Sequence, residues 1–535
     1  MNFIQGLRRL SAVSVGVAAI ALASPAHAAG AVDAWVGTWA VAPQTTQGPI
    51  NYAGKTLRQI MHTSVAGTSA RIHLSNLLGD VPLSVTDVHI ALRDNGSAIR
   101  PETDKRITFS GGSSATIKAG DSLVSDSVDF NVPALSDVLV SFYVSAPTNA
   151  LTGHSFSNQN KYVASGDVAG QAFIQADESG DYEFLTNLDV QGPGLNGAVI
   201  AIGASVTDGY RSSDGQNKRW TNDLATRIVN AKLGVGVLNQ GITGNGLLVE
   251  KGSGPSTVNR FDRDVLSQAG VRWVILSDSA WNDLETDSPV VTSADIIPAI
   301  QALIAKAHGK GVKFICSTLT PGKDGDGWTL AREAEREKIN AFVRGGGSGC
   351  DGIVDQDTPL HDPSNPTKYL PAYDSGDHVH PNDAGYQVIA NSVNLALLRL
   401  VPLDTIATPQ GCSNINPEKI AWDNETVEEL QALFRPGGNH LFEKALQTAF
   451  VGTDLPLELA RKRVQVIVLT GIHLDWRIEG NARAARDNGY LPIVIGDATS
   501  TQKPEQARAV FERINNFFAP VISSQTFVEL LNKMT

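Results

Sequence analysis

The sequence predicts an α/β fold in which a β-sandwich of the jelly-roll type precedes a three-layer α/β/α domain, with a partial α/β segment after both. Residues 29–195 show short alternating strand patterns between glycine-containing turns, and residues 196–401 alternate buried strands with amphipathic helices. A polar linker with several prolines follows at 402–424, and the strand-and-helix alternation returns at 425–535. A chain of 535 residues has room for about three or four domains.

Short apolar runs mark the expected elements. The alternating strands of the first region are 58–65, 69–74, 85–92 and 138–144. The buried strands of the second region are 198–202, 273–276, 312–316 and 352–354, and its helices are 295–307 and 331–343. The last region has strands at 464–469 and 492–495 and helices at 479–487 and 505–517. Alternation of strands and helices builds a parallel sheet with helices on both faces.

The composition excludes several classes of protein. With 42% hydrophobic and 18% charged residues and a mean hydropathy of −0.08, the chain is neither disordered throughout nor a polytopic membrane protein. A net charge of −12 without a basic stripe argues against a nucleic-acid partner. Three cysteines are too few for a disulfide scaffold, and no pairing follows from the sequence. Cys316, inside an apolar run, is expected to be a buried thiol.

The first 28 residues have the features of a secretory signal peptide. Two arginines give a positive start, residues 10–23 are largely apolar, and Ala26-His27-Ala28 places small residues where signal peptidase cleaves. A membrane anchor is the alternative, but the apolar stretch is shorter than the roughly 20 residues that span a bilayer. We therefore expect cleavage after Ala28 and a secreted mature protein, extracellular or periplasmic, that does not contact the membrane.

A candidate nucleophile follows the first buried strand of the second region. Residues 203–209 contain Ser205, which a parallel sheet would place at the carboxyl end of that strand, where open α/β sheets bind ligands. The N–H of Ser205 would lie near the start of the next helix, which favours a developing oxyanion. The alternative from this fragment alone is a serine that caps the helix.

Asp377 and His380 form a candidate acid–base pair near the end of the same region. A carboxylate three residues before an imidazole can bond one ring nitrogen and leave the other to take a proton from a serine. His378 is an alternative base. Metal binding by His378, His380 and Asp377 is the rival interpretation, although no further cysteine or histidine cluster lies near in the sequence.

Two further segments supply candidate oxyanion donors. Residues 239–245 and 280–283 each follow an apolar strand, and they contain Gly241 and Asn282. A glycine N–H and an asparagine amide at strand ends are neutral donors suited to a tetrahedral oxyanion. Asp283 is expected to support its loop rather than to take part in catalysis.

The order Ser205, Gly241, Asn282, Asp377 and His380 along one strand-and-helix series resembles that of the SGNH hydrolases, also called GDSL esterases and lipases. The resemblance implies an SGNH-type hydrolase domain at 196–401, with Ser205 as nucleophile, His380 as general base and then acid, and Asp377 orienting His380. The N–H groups of Ser205 and Gly241 and the amide of Asn282 would form the oxyanion hole. An acyl-serine intermediate would form and be hydrolysed by water, without a cofactor or a metal.

The likeness extends over residues 34–400. Within the family, the chain resembles a secreted subgroup that carries an N-terminal β domain. The shared motifs are GTW at 37–39, HTS at 62–64, SN at 75–76, RFDRD at 260–264, TP at 320–321 and GDHVHPN at 376–382. Members of the subgroup are linked to acyl and aryl esters and to plant-polysaccharide degradation. The resemblance thus implies a secreted esterase for short acyl esters, with acetyl groups on plant polysaccharides as the leading substrate.

Two residues depart from the family pattern. Ala204 replaces the aspartate of Gly-Asp-Ser, and Ala280 replaces a glycine two residues before Asn282. Neither change removes a triad residue or an oxyanion donor, but a methyl group strains a turn wherever glycine geometry is required. The rival hypothesis is therefore a decayed hydrolase that acts as a carbohydrate-binding module.

Residues 425–535 resemble part of the isochorismatase-like cysteine hydrolases. The shared segments are 444–455, which contains the lysine Lys444, and 464–471, 478–490 and 493–498. Arg477 occupies the position of the family's nucleophilic cysteine, and Cys412 lies far upstream of it. A protonated guanidinium cannot act as a nucleophile, so the segment is predicted to be non-catalytic. Three interpretations stay open: a module for docking or self-association, an appendage without a role, and a ligand-binding remnant.

Overall fold

The computed structural model of the protein describes residues 14–15, 35–45, 48–251, 254–345, 347–399, 466–472, 478–488, 490–500, 510–515, 518–523 and 526. The chain divides into two compact units, one of Ala28–Leu400 and one of Met1–His27 with Val401–Thr535. The predicted linker at 402–424 and most of the predicted signal peptide lie outside the described residues, as do Cys412, Lys444 and Arg477.

Antiparallel strands build residues 35–191, here called the β region. The strands of the first 191 residues are β1 (Ser14–Val15), β2 (Val36–Ala40), β3 (Gln44–Thr45), β4 (Lys55–His62), β5 (Gly67–Ser75), β6 (Leu83–Leu92), β7 (Lys105–Arg106), β8 (Ser114–Ile117), β9 (Ser122–Val124), β10 (Val128–Val132), β11 (Asp137–Val144), β12 (Thr152–His154), β13 (Lys161–Ser165), β14 (Asp177–Ser179), β15 (Tyr182–Glu183) and β16 (Leu185–Gln191). One sheet has the order β10-β5-β16-β2 with β9 beside β5, and another has the order β14-β13-β4-β11-β6-β7 with β8 beside β6. A third, small sheet joins β15, β12 and β3. Pro101–Thr103 forms a turn of 3₁₀ helix.

Alternating side chains give these sheets a shared core. In β11, Val140 and Phe142 pack in one cluster with Ile72 and Leu188 of the other large sheet. Leu139, one position along β11, belongs to a second cluster instead. Successive side chains of a strand point to opposite faces, so the period-two pattern of the sequence produces two packed layers. The predicted β-rich region is confirmed.

Residues 197–398 have the predicted α/β/α arrangement, and they are here called the hydrolase region after the domain that the sequence predicts there. The strands are β17 (Gly197–Gly203), β18 (Val235–Gly241), β19 (Val271–Leu276), β20 (Lys313–Ser317), β21 (Gly352–Val354), β22 (His361–Asp362) and β23 (Asn365–Tyr369). The helices are α1 (Ser205–Asp208), α2 (Trp220–Asn230), α3 (Thr257–Phe261), α4 (Ser279–Leu284), α5 (Ser293–His308), α6 (Leu330–Arg344) and α7 (Asp383–Ser392), with a π-helical turn at Asp262–Leu266 and a 3₁₀ turn at Leu395–Leu398. A parallel sheet has the order β18-β17-β19-β20-β21.

The central strand β17 contacts helices on both faces of this sheet. Val199 packs in a cluster with Trp220 of α2 and Ile389 of α7. Ile200, on the opposite face, packs in a cluster with Ile300 of α5. A strand covered on both sides must be apolar at every position, which explains the uninterrupted apolar run of the sequence. The predicted α/β fold class is thereby confirmed.

The β region and the hydrolase region meet within one compact unit. The N–H of Gly37 donates to the carbonyl oxygen of Ala269 at 3.0 Å, and the N–H of Val237 donates to Ser64 Oγ at 2.8 Å. A Cβ on Gly236 would lie 2.0 Å from the carbonyl oxygen of Gly37, so the backbones approach more closely than a side chain allows. The boundary between residues 195 and 196 stays a prediction from sequence.

The second unit contains a parallel sheet in which β1 is followed by strands at Val466–Ile472, Leu491–Ser500 and Val521–Ile522. Its further elements are β24 (Val466–Ile472), α8 (Glu479–Asp487), β25 (Leu491–Ser500) and β26 (Val521–Ile522). Ile467, Ala482, Val494 and Ile514 share its core. Strand β1 falls within the predicted signal peptide, whose cleavage stays a prediction.

Candidate active site

Ser205 begins helix α1 directly after strand β17. The strand ends at Gly203, so the serine lies at the carboxyl edge of the parallel sheet. A Cβ at position 203 would lie 2.1 Å from Thr207 Oγ1 and 2.4 Å from Asp278 Oδ1. The tight turn that exposes Ser205 therefore requires glycine at position 203.

The carboxylate of Asp278 holds the turn that carries Ser205. Its Oδ1 accepts hydrogen bonds from the N–H of Ala204 at 2.9 Å and the hydroxyl of Thr207 at 2.7 Å, and its Oδ2 accepts from the N–H of Val206 at 2.8 Å. Asp278 is buried, so these charge-assisted bonds are shielded from water. Sequence analysis missed Asp278, although its place two residues after β19 was an available signal.

The structure brings Ser205, His380 and Asp377 together. His380 Nε2 lies 2.9 Å from Ser205 Oγ, and His380 Nδ1 lies 2.9 Å from Asp377 Oδ2. Partial burial alone would raise the pKa of Asp377, but hydrogen bonds from the His380 backbone N–H, the His380 ring and the Val379 N–H lower it well below its usual range. Asp377 is thus held as a carboxylate facing the imidazole.

A tight loop presents His380 to the serine. Asp374 Oδ1 accepts from the N–H groups of Gly376 at 2.8 Å and His378 at 3.1 Å, and Gly376 has a φ of +98° that favours glycine. The ring of His378, the alternative base, bonds through Nδ1 to Asp374 Oδ2 at 2.6 Å and is 48% exposed. His380 is therefore the histidine that the loop directs at Ser205.

Two residues that sequence analysis did not single out contact the acid–base pair. The ring of Tyr210 meets the ring of His380 edge-on, with centroids 4.8 Å apart. Arg211 Nε donates to Asp377 Oδ2 at 3.0 Å from a side chain that is 51% exposed. Both follow the nucleophile helix by two or three positions, which was the signal that could have identified them.

Asn282 lies in α4 and lines the same cleft as Ser205 and His380. Its Nδ2 donates one hydrogen to the carbonyl oxygen of Asn245 at 3.1 Å, and a primary amide has a second hydrogen for a ligand. Asp283 accepts from the N–H of Leu248 at 3.0 Å, and burial raises its pKa more than such backbone bonds lower it. Asp283 thus supports the neighbouring loop.

Gly241 does not line this cleft. Strand β18 extends through Gly241, whose N–H donates to Asn239 Oδ1 at 2.9 Å. A Cβ on Gly241 would lie 2.3 Å from the backbone nitrogen of Asp208, so close packing on α1 explains the glycine. The sequence pattern placed the loop too early, because Asn239 and Gly241 belong to the strand.

Gly244 lies in the turn after β18 and lines the cleft. Its φ of +77° lies in the left-handed region that favours glycine. Within residues 48–251 and 254–345 its N–H has no hydrogen-bond partner. The Gly244 N–H is therefore a candidate backbone donor of the cleft, whereas the Gly241 N–H is bonded to Asn239.

The cleft around Ser205 has a volume of about 490 Å³. Besides Asp278, its lining includes the charged residues Lys251, Glu285, Asp287, Asp326 and Arg332. Burial raises the pKa of Glu285, whereas Lys251 and Arg332 act to lower it. Apolar contact area comes from Val206, Tyr210 and Trp281. The cleft therefore offers a ligand both charged and apolar contacts.

Neither departure from the family pattern produces left-handed backbone. Ala204 has a φ of −113° and is fully buried, with its N–H bonded to Asp278. Ala280 lies within helix α4, where alanine is favourable. Neither alanine therefore has the positive φ at which a side chain is strained and glycine is favoured.

Cys316 and Cys350 form a disulfide, which corrects the expectation of a free thiol at Cys316. Their Cα atoms are 5.8 Å apart, and the bond joins β20 to the segment before β21. Cys316 is buried, as its apolar run indicated. Apolar neighbours surround a half-cystine and a buried thiol alike, so the sequence could not distinguish them.

The described residues contain no cluster of three or more histidine, cysteine, aspartate or glutamate side chains suited to a metal ion. His378 and His380 bond to different aspartates, Asp374 and Asp377. No helix among the same residues is long and apolar enough to cross a membrane.

Comparison with protein families identifies the region that carries this site. Residues 199–393 match the model of the GDSL-like lipase/acylhydrolase family, a range that contains Ser205, Asn282, Asp377 and His380. The chain carries a GDSL-like acylhydrolase domain. This match confirms the predicted SGNH/GDSL resemblance and, at the level of the domain family, the class of carboxylic ester hydrolase.

A second family model matches the C-terminal part of the chain. Residues 401–526 match the isochorismatase domain. Over 97 residues the chain is 37% identical to the uncharacterized isochorismatase family protein YwoC of Bacillus subtilis (strain 168), covering 18% of this chain and 50% of that protein. Over 86 residues it is 34% identical to the uncharacterized isochorismatase family protein YecD of Escherichia coli O157:H7, covering 16% of this chain and 44% of that protein. The chain thus spans about half the length of these curated relatives, and the predicted resemblance is confirmed.

Several solved structures are similar to part of the chain at low identity. A putative acylhydrolase from Bacteroides fragilis NCTC 9343 is 21% identical, covering 38% of this chain and 88% of that chain, with a TM-score of 0.29. An acetyl xylan esterase variant from Geobacillus stearothermophilus is 21% identical, covering 39% of this chain and 98% of that chain, with a TM-score of 0.30. A family two carbohydrate esterase from Cellvibrio japonicus is 11% identical, covering 68% of this chain and 96% of that chain, with a TM-score of 0.29. With such low TM-scores, these similarities support no inference about this chain.

Proposed function

We propose that this protein is a secreted serine esterase that hydrolyses short acyl esters, with acetyl groups on plant polysaccharides as its leading substrate. The observation that carries the proposal is the hydrogen-bonded series from Ser205 through His380 to Asp377, with 2.9 Å at each link. The GDSL family match over the same residues supports this chemistry.

Ser205 is the nucleophile and His380 the general base in this proposal. His380 Nε2 takes the hydroxyl proton as Ser205 Oγ attacks the ester carbonyl carbon. Asp377, an acceptor for the other ring nitrogen, stabilises the imidazolium that forms. The imidazolium then protonates the leaving alcohol, which leaves an acyl-serine, and His380 activates water for the second half of the reaction.

The oxyanion donors of the proposal belong to residues that line the cleft with Ser205. They are the N–H of Ser205, the side-chain amide of Asn282, and the N–H of Gly244 in place of that of Gly241. Gly244 lines the cleft, whereas the Gly241 N–H is used by Asn239. One such donor contributes about 10²–10³-fold to kcat in acyl transfer.

The proposed substrate has a small acyl group on a hydroxyl-rich alcohol. The carboxyl groups of Glu285 and Asp326 line the cleft and can accept hydrogen bonds from sugar hydroxyls. Trp281 and Tyr210 add apolar surface near the serine, which suits a methyl group or a sugar face. Resemblance to the polysaccharide-associated subgroup supports the same substrate class.

Secretion and domain organisation belong to the same proposal. The features of residues 1–28 favour export, and a Cys316–Cys350 disulfide persists in oxidising compartments outside the cytosol. We assign residues 29–195 to a β-sandwich domain, 196–401 to the hydrolase domain, 402–424 to a linker and 425–535 to a non-catalytic isochorismatase-like segment. Arg477 in place of a cysteine supports the last assignment.

Covalent labelling tests the nucleophile. A fluorophosphonate ester should lose fluoride and bond through phosphorus to Ser205 Oγ, adding one phosphonyl mass to the peptide that contains Ser205. The Ser205→Ala variant, matched for folding by circular dichroism, should gain none. Labelling that is equal in both proteins, or absent from the unaltered protein, would contradict the proposal.

A further inference from the structure

A buried histidine of the β region contacts the nucleophile helix of the hydrolase region. His154 ends strand β12, and Asp208 ends helix α1, whose first residue is Ser205. His154 Nε2 lies 3.0 Å from Asp208 Oδ1, and the side chains are 3% and 4% exposed. Both residues lie in the compact unit Ala28–Leu400. The two regions are thus joined by a polar contact directly beneath the nucleophile turn.

Every polar atom of this pair has a partner. His154 Nδ1 lies 2.9 Å from the carbonyl oxygen of Ala42, also in the β region. Asp208 Oδ2 accepts from the N–H of Thr243 at 2.9 Å and from the Thr243 hydroxyl at 2.7 Å. A carbonyl oxygen can only accept, so the hydrogen on Nδ1 belongs to His154. Nε2 and Oδ1 then share one further hydrogen, and the series from Ala42 to Thr243 is continuous.

Asp208 contacts both sides of the proposed site. Its N–H donates to the carbonyl oxygen of Ala204 at 2.8 Å, which closes the single turn of α1 behind Ser205. Thr243, held by its carboxylate, directly precedes Gly244 of the cleft. A shift of Asp208 would therefore move the nucleophile relative to the backbone donor at Gly244.

We propose that His154 is a positioning residue for ester hydrolysis, because it fixes Asp208 and thereby holds the Thr243–Gly244 turn against the Ser205 helix. The inference rests on the proposed function and goes beyond it. The β region is then part of the catalytic unit and not a separable carbohydrate-binding module.

The test compares the full chain with its His154→Ala and His154→Gln variants in hydrolysis of p-nitrophenyl acetate. His154→Ala lowers kcat about 10²-fold and changes KM less than about threefold, since a displacement of about 1 Å between reacting groups costs this much. His154→Gln restores one donor to Asp208 and recovers part of kcat. Asp208→Asn lowers kcat similarly, and combining it with His154→Ala produces no further loss, because the two residues act as one unit.

His89→Ala is the matched control. His89 is another buried histidine of the β region, and its Nδ1 lies 2.9 Å from Asp104 Oδ2, away from the cleft. This variant loses a partly buried histidine–aspartate contact and keeps its kcat. An equal loss of kcat in the His89 and His154 variants would show a general effect of destabilisation and overturn the inference.

The remaining outcomes separate this inference from the proposed function. Unchanged kcat in folded His154→Ala, in a protein whose unaltered form turns over ester and labels at Ser205, overturns the inference alone. If His154→Ala does not fold, unchanged kcat in His154→Gln and Asp208→Asn overturns it equally. If the unaltered protein shows neither turnover nor labelling, the proposed function is overturned, and the positioning role is overturned with it.

Discussion

His380 Nε2 lies 2.9 Å from Ser205 Oγ although 175 positions separate the two residues in the sequence. Strand β17 places the serine, and the loop before helix α7 places the histidine. Helix α7 packs on α2 in one core cluster, and the Tyr386 hydroxyl of α7 donates to the carbonyl oxygen of Tyr210 at 2.6 Å. Packing of α7 against the segment after Ser205 therefore sets the distance on which the proposed chemistry depends.

Replacing Asp377 should remove most of the activity. Asp377→Asn keeps the shape of the side chain but supplies an amide hydrogen or a neutral acceptor to His380, so we expect kcat to fall about 10³–10⁴-fold. Arg211→Ala is the control, because Arg211 bonds Asp377 from an exposed position and surface ion pairs contribute little. Steady-state kinetics of both variants check this. An Asp377→Asn variant that keeps a kcat close to that of the unaltered protein would show that Asp377 does not act through His380.

Asn282→Ala should lower kcat by about 10²–10³-fold with little change in KM. The reason is that its second amide hydrogen is available for charge that develops in the transition state, while the first is used by Asn245. Steady-state kinetics with p-nitrophenyl acetate measure both constants. A rise in KM with kcat unchanged would assign Asn282 to substrate binding instead.

Removing the C-terminal segment should leave esterase activity intact. Residues Ala28–Leu400 form a compact unit that contains every proposed catalytic residue. A chain that ends at Leu400 should keep kcat/KM within about a factor of three, and its sedimentation should show whether the removed segment mediated self-association. Loss of soluble, active protein on truncation would show that residues 401–535 stabilise the enzyme.

The Cys316–Cys350 disulfide should stabilise the hydrolase region. The bond closes a loop of 34 positions, for which the chain-entropy model gives about 3–4 kcal/mol of unfolding free energy. The double variant Cys316→Ala/Cys350→Ala should therefore show a lower Tm than the unaltered protein by differential scanning calorimetry. Cys412→Ser, which leaves the bond intact, is the control. A Tm equal to that of the control would show that the bond does not form or does not stabilise.

Local patterns of the sequence were enough to predict the fold class and the contact between Asp377 and His380. They were not enough to identify the residues that hold the nucleophile turn or the backbone donor. Ile200 lies in an apolar run, and Asp377 precedes His380 by three positions, so both signals are local. Asp278 and His154 act through partners 74 and 54 positions away, and only folding brings these residues together. Gly241 was misplaced for a related reason, since the end of a strand depends on its neighbour β17 and not on its own residues.

Hydrolysis of p-nitrophenyl acetate by the mature protein and by Ser205→Ala tests the central claim most directly. Both proteins are first matched for folding by circular dichroism and dialysed against a chelator, which removes a metal-dependent route through His378 and His380. We predict turnover in the unaltered protein and a fall to background in the variant. Equal rates in the two proteins would contradict a serine esterase that uses Ser205, and equal background rates combined with binding of acetylated glycans would favour a decayed hydrolase.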